Sequence, residues 1–325
     1  MTRSGLLLAA IVALAVVPFV ASNYLLYLLN LIAINMILAI GLDILTGWTG
    51  QISLGHAGFT AIGAYASGLA VVDLGIPFWL AMPLAALFCA AVSVIIGAPA
   101  LRLSGHYLAL ATFGFGEVIQ LIIIHSASLT NGSKGLTIPA PVIAGFKLDS
   151  DRSLYFLIIP VTALLMWLAW NLSRSAMGRA LLSIRMSELG ASSVGINLPR
   201  YKTLAFALSA FYAGIAGGLF GGMVKFIDPG AFSVWNSILY LTMIAVGGMR
   251  SIPGAVIGAT LLTLLPELLS GLQQYMELAY GVLLLTFIIF IPEGIYGRVQ
   301  SWRAAVFGSA VPARPSRDSG AGLEH

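Results

Sequence analysis

Apolar runs of membrane-spanning length recur along almost the whole chain, and this recurrence restricts the fold more than any other feature. A helix needs about 20 mostly apolar residues to cross a bilayer. Such runs fall at 5–21, 24–42, 56–72, 78–97, 106–125, 155–172, 204–224, 235–248, 254–271 and 278–292. No strand-like alternation runs long enough for an outer-membrane barrel. Charged residues make up 9% of the chain, against about 25% in an ordinary soluble domain. So few charges cannot cover a surface in water. The expected fold is an all-α polytopic membrane protein with about 8–10 transmembrane helices.

The basic residues orient it. With the N-terminus inside, Arg3, Arg102, Arg174, Arg179, Arg185, Arg200, Lys202, Arg250, Arg298, Arg303, Arg314 and Arg317 fall on the cytoplasmic side, leaving Lys134, Lys147, Arg152 and Lys225 outside. That bias satisfies the positive-inside rule and predicts cytoplasmic N- and C-termini. The transmembrane domain then spans 1–300, with a large external loop at 126–153 and a cytoplasmic tail at 301–325. Residues 1–21 read as a first helix or as a cleaved signal ending near Ala21-Ser22, two patterns alike at this length. Leu323-Glu324-His325 reads as the start of an affinity tag.

Two stretches break the helical pattern: Gly47–Gly58, with Gln51, Ser53 and His56, and Gly247–Gly258, opening on Gly247 and Gly248. Paired interruptions of this kind point to a translocation path built on inverted internal repeats. Close helix packing through small residues is the competing explanation. Glu117, deep in the 106–125 run, reads as a path-lining group or as a structural carboxylate that locks two helices. Asp43, at the end of the 24–42 run, reads as an interfacial residue. Pro266 and Glu267 mark a kink.

Enzyme chemistry finds little support. No phosphate-binding loop of the Walker type is present. Ser53 and His56 offer the spacing of a hydrolase pair, but spacing alone supplies neither a positioned base nor an oxyanion site. The single cysteine, Cys89, rules out an intramolecular disulfide, and His56, His106, His125 and His325 are not at metal-ligand spacing. No catalytic residue, metal site or cofactor is expected, and no basic run with interleaved aromatics suggests nucleic acid. The bilayer is the expected environment.

Few ionisable groups lie within the spans, so a proton- or sodium-driven carrier lacks its usual coupling residues. Energy is expected from outside the membrane. The segment 173–203 is the place for it, a polar island between spans that carries Arg174, Arg179, Arg185, Glu188, Arg200 and Lys202. Within it Ser187-Glu188 suits a helix start and Gly195 with Pro199 a helix stop.

From Arg185-Met186-Ser187-Glu188 through Gly195-Ile196-Asn197 and Tyr201-Lys202 to Ala213-Gly214-Ile215-Ala216-Gly217-Gly218, the chain resembles permeases of bacterial ABC importers. The Glu188…Gly195 spacing is similar to their EAA-type loop, with Gly190 where alanine is common. Gly47-Trp48-Thr49-Gly50-Gln51-Ile52-Ser53-Leu54-Gly55-His56-Ala57-Gly58-Phe59 and Gly63-Ala64-Tyr65 resemble the branched-chain amino acid permeases, in particular their M-type subunit. Tyr107–Glu117 and Val246–Ala255 are family-like as well, so the resemblance covers roughly 25 to 295.

The resemblance implies an inner-membrane importer in which this chain pairs with a paralogous permease, two cytoplasmic ATPase subunits and a periplasmic substrate-binding protein. It implies that Arg185, Ser187, Glu188, Ala191, Gly195, Tyr201 and Lys202 couple to an ATPase, through a short helix docked in that subunit's groove. Gln51, Ser53, His56, Glu117, Gly247 and Gly248 are the expected path residues. Leucine, isoleucine and valine lead as substrates by resemblance, with urea or short amides, or a secondary carrier, as alternatives.

Overall fold

The computed structural model describes residues 16–100, 105–143, 145–268 and 294–307, with isolated positions at 275, 278, 281, 282, 285 and 286. Most of the expected span 278–292, most of span 5–21 and most of the tail 301–325, including 323–325, lie outside the described residues. Among the described residues, five helices are long and apolar enough to cross a membrane.

Helix α1 (Asn23–Leu42) starts at Ser22, whose hydroxyl accepts the Leu25 N–H at 3.3 Å. It is apolar on every side, the signature of a helix enclosed by others. Leu26, Ile34, Ile37, Leu38 and Ile40 are all buried. Its last turn widens into a π-helical segment at Asp43–Gly47. An irregular stretch then leads to α2 (His56–Val72), followed by α3 (Phe78–Ala100) and α4 (His106–His125).

On the far end of the bundle, 126–150 forms short helical turns and two small antiparallel ladders rather than a bare loop. Strand β1 (Leu136–Thr137) pairs with β4 (Phe226–Ile227), and β2 (Val142–Ile143) pairs with β3 (Phe146–Lys147). Lys225 donates to an Asp149 carboxylate oxygen at 2.6 Å and to its carbonyl at 2.9 Å. That ammonium holds the exposed Asp149 carboxyl below its usual range.

Helix α5 (Asp151–Arg174) is longer than its apolar run because it is secured at both ends. Ser150 and Ser153 form a reciprocal cap at its start, and Arg174 lies over the Trp170 ring, 4.7 Å from its centre. The polar island is almost wholly helical. It holds α6 (Ala176–Met186), α7 (Glu188–Ser193) and the first turn of α8 (Leu198–Val224), which Asn197 caps by accepting the Arg200 N–H. Helices α9 (Val234–Gly247), α10 (Ile252–Leu268) and α11 (Gly294–Phe307) complete the described chain.

Helix α8 is the axis on which α2 and α3 assemble. Its glycines lie where a side chain has no room. A Cβ on Gly63 of α2 would come to 2.5 Å from the Gly214 Cα, one on Gly217 would collide with the Thr60 carbonyl, and one on Gly214 would reach 2.7 Å from the Ala86 Cα. In a lipid environment, where apolar burial gives helices little preference for one another, such close backbone approach is a main source of association.

Candidate functional site

The two stretches that interrupt the helical pattern sit against each other. Asp43, in the π-helical turn, is 1% exposed and its carboxylate accepts the Trp48 indole N–H at 3.1 Å. The same carboxylate accepts the backbone N–H of Arg250 at 2.8 Å, across 207 residues of sequence. Asp43 is therefore enclosed by protein rather than exposed at the end of its helix. It is a buried bracket between the end of α1 and the α9–α10 turn, satisfied by donors as a buried carboxylate must be. Gly47 has no room for a side chain, since a Cβ would collide with Asp43 Oδ1 and lie 3.0 Å from the Arg250 nitrogen.

The polar island reaches the same place. Arg185, in the last turn of α6, donates from Nη1 to the carbonyl oxygens of Thr46 at 2.8 Å and Gly47 at 2.6 Å. These carbonyls belong to the widened end of α1, where the Thr46 carbonyl also accepts the Gly50 N–H at 3.2 Å. Partial burial, followed by the nearby Arg250 charge, lowers the Arg185 pKa, and Asp43 opposes that shift. A guanidinium keeps its proton under such perturbation.

Next comes α7, a single short helix held at both ends. Ser187 accepts the Gly190 N–H at 3.0 Å. At the other end Gly195 has φ +85°, its N–H bonds the Ser192 carbonyl, and the Ile196 N–H bonds the Ala191 carbonyl. This is a Schellman closure, which needs a residue at ease in the left-handed region. Ala191 is buried beneath the helix, and Lys202 Nζ, from the first turn of α8, pairs with Glu188 Oε1 at 2.7 Å. Glu188 thus holds α7 against α8. Outward, Met186, Leu189 and Val194 present apolar side chains on the island's free face, with Leu189 85% exposed. Tyr201 is half-buried one residue before Lys202.

The structure thus brings together Arg185, Ser187, Glu188, Ala191, Gly195, Tyr201 and Lys202 in one arm. The expected path residues are not gathered in the same way. Gln51, Ser53 and His56 are all buried near the start of α2. His56 Nδ1 lies 3.4 Å from Ser209 Oγ of α8, not from Ser53, and its Nε2 has no partner among the described residues. No carboxylate bonds His56 among those residues. Glu117 is half-buried on α4, a turn before Gln120, which donates to the Pro229 carbonyl at 3.3 Å. Gly247 and Gly248 are packing positions. A Cβ on Gly247 would collide with the Gly254 carbonyl, and one on Gly254 would collide with the Gly248 carbonyl.

Sequence reasoning did not single out Asp43, Trp48 or Arg250 as a unit. The available signal was a carboxylate closing one apolar run and an arginine opening another, which in a membrane protein asks for a partner.

A bundle of apolar spanning helices, broken at two adjoining points and carrying a capped polar arm at one end, defines a multi-pass membrane protein of the permease class. The family model for the branched-chain amino acid transport system permease component matches residues 24–291, and the chain belongs to that family. It is 33% identical over 318 residues to the high-affinity branched-chain amino acid transport system permease protein LivM of Escherichia coli strain K12, covering 90% of this chain and 75% of that protein. It is 28% identical over 284 residues to BraD of Pseudomonas aeruginosa, covering 81% of this chain and 92% of the relative. Against LivH of Escherichia coli strain K12 the identity is 28% over 291 residues, covering 81% and 91%.

Proposed function

We propose that this chain is the transmembrane permease subunit of an ATP-binding cassette importer, carrying branched-chain amino acids that a periplasmic binding protein delivers. The relatives named above are permeases of high-affinity branched-chain amino acid transport systems. The subunit works without catalytic residues of its own, in the bacterial inner membrane with both termini cytoplasmic. It pairs with a paralogous permease and is driven by two ATPase subunits.

The observation that carries this reading is the anchoring of Arg185 on the Thr46 and Gly47 carbonyls. A partner gripping the exposed face of α7 would move α6, α6 would pull on the end of α1, and Asp43 would pass that movement to the α9–α10 turn. A push on a six-residue helix thereby reaches both interruptions of the membrane domain without a proton transfer. The buried Ala191, the Glu188–Lys202 pair and the capped ends keep α7 rigid enough to transmit force. Gln51, Ser53, His56 and Glu117 are assigned to the neighbourhood of the path, and Gly247 and Gly248 to the hinge beside it.

The test is ATP hydrolysis by the reconstituted complex in proteoliposomes, with the binding protein and leucine, isoleucine or valine supplied outside. Hydrolysis should rise only with the loaded binding protein. Glu188→Lys should abolish that rise while leaving membrane insertion intact, and unchanged stimulation would overturn the assignment of the arm.

A further inference from the structure

A cavity of about 200 Å³ lies within the bundle, away from the Arg185 arm and beside His56, whose ring meets that of the lining residue Tyr240 edge-on with centroids 6.0 Å apart. Its walls come from α1, α9, α10, the 3-10 turn Pro229–Phe232 and single residues of α2 and α8. Leu31, Ile34, Leu38, Leu239, Met243 and Leu262 make much of it apolar, and no charged side chain lines it.

Five polar side chains interrupt that lining, Asn35, Thr60, Asn236, Tyr240 and Thr263, where uncompensated polar groups are costly; the two threonine hydroxyls donate to the His56 and Ala259 carbonyls. Asn35 spends its amide N–H on Thr263 Oγ1 at 2.9 Å, and Asn236 spends its own on the Ala231 carbonyl at 3.0 Å. Among the described residues neither Asn35 Oδ1 nor Asn236 Oδ1 receives a hydrogen bond. Tyr240 is 7% exposed, and its hydroxyl also has no hydrogen-bond partner among those residues. The cavity therefore holds two free amide acceptors and one free hydroxyl donor between aliphatic walls. This combination is the complement of a small zwitterion with an aliphatic side chain: an ammonium for the amide oxygens, a carboxylate for the hydroxyl, a branched carbon chain for the leucines. The size agrees, since an apolar cavity of about 150 Å³ takes up benzene.

The geometry points to this cavity as an occlusion site in which a small aliphatic amino acid is held during passage. The inference rests on the proposed transport function, and adds a place of contact that the glycine-rich interruptions do not provide.

Two measurements on the full complex in proteoliposomes test it: leucine uptake driven by ATP, and equilibrium binding of radiolabelled leucine with the binding protein omitted. Tyr240→Phe keeps the packing and removes only the hydroxyl, and Ala231→Leu narrows the cavity. A hydrogen bond from a hydroxyl to a carboxylate is worth roughly a tenfold change in affinity or more. Leucine binding should therefore weaken by about tenfold or more in Tyr240→Phe and vanish in Ala231→Leu, with leucine uptake falling in the same order, while both variant complexes still assemble with their ATPase subunits. Wild-type affinity in both variants, or no leucine binding by a complex that imports leucine, overturns the site and leaves the transport function standing. Binding without uptake supports the site and overturns the function. Absence of both overturns both.

Discussion

Arg185 binds carbonyls 139 and 138 residues away in sequence, and it does so with a single guanidinium nitrogen. Hydrogen bonds from a charged donor contribute about 1.5–3 kcal/mol each, and a carbonyl stripped of its donor carries its own desolvation cost. Partial exposure of Arg185 puts the loss toward the lower end of that range. Arg185→Met should lower the stability of the purified complex by about 2 kcal/mol and reduce the number of leucines imported per ATP. Arg185→Lys should recover part of the stability and less of the coupling, because an ammonium is a point charge on a flexible stem and lacks the rigid planar fork. Thermal unfolding in detergent reads the first effect, and paired uptake and phosphate-release assays read the second. Equal coupling ratios in all three proteins would leave Arg185 a structural anchor with no part in coupling.

At the scale of elements, α7 shows what depends on caps rather than on propensity. A helix of six residues cannot sustain itself in water, since nucleation costs more than so few bonds return. Its persistence rests on Ser187, on the Gly195 closure and on the Glu188–Lys202 pair. A β-branched residue at φ +85° is disfavoured by roughly 1–2 kcal/mol, comparable to the whole margin of such a helix. Gly195→Val should accelerate amide hydrogen exchange across 188–196 and depress receptor-stimulated hydrolysis, with exchange in α8 unchanged. Unchanged exchange in that segment would show that Ala191 burial alone holds the helix. Both ends of α7 were legible in the sequence because capping is local chemistry, and the bounds of α2 and α4 were legible because their apolar runs end abruptly. The separate helix α6 was not, since its amphipathic pattern is short and sits among charges. The Asp43–Arg250 and Arg185–Thr46 contacts were out of reach for another reason: they join segments far apart in sequence, and no local period encodes them. Asn35, Asn236 and Tyr240 escaped because a search for ionisable groups passes over neutral ones.

At the scale of the whole molecule, transport requires that the two ends of the bundle face different compartments. One end carries the arm, with Arg179, Arg185, Arg200 and Lys202. The other carries the small ladders at 136–147 and the Lys225–Asp149 pair. The excess of basic residues at the first end supports the proposed cytoplasmic placement of the arm. The sole native cysteine, Cys89, is fully buried in the core, so it leaves a clean background for surface thiols. Leu189→Cys, on the free face of α7, should react with a membrane-impermeant thiol reagent only in inside-out vesicles. Ser133→Cys, exposed in the opposite loop, should react only in right-side-out cells. Adding the ATPase subunits should protect Leu189→Cys and leave Ser133→Cys untouched, because a coupling partner covers the apolar face formed with Met186 and Val194. Labelling of both cysteines from one side would place the arm and the loop in the same compartment, and the crossing pattern would fall. Labelling from opposite sides without protection would keep the topology and move the ATPase contact away from α7.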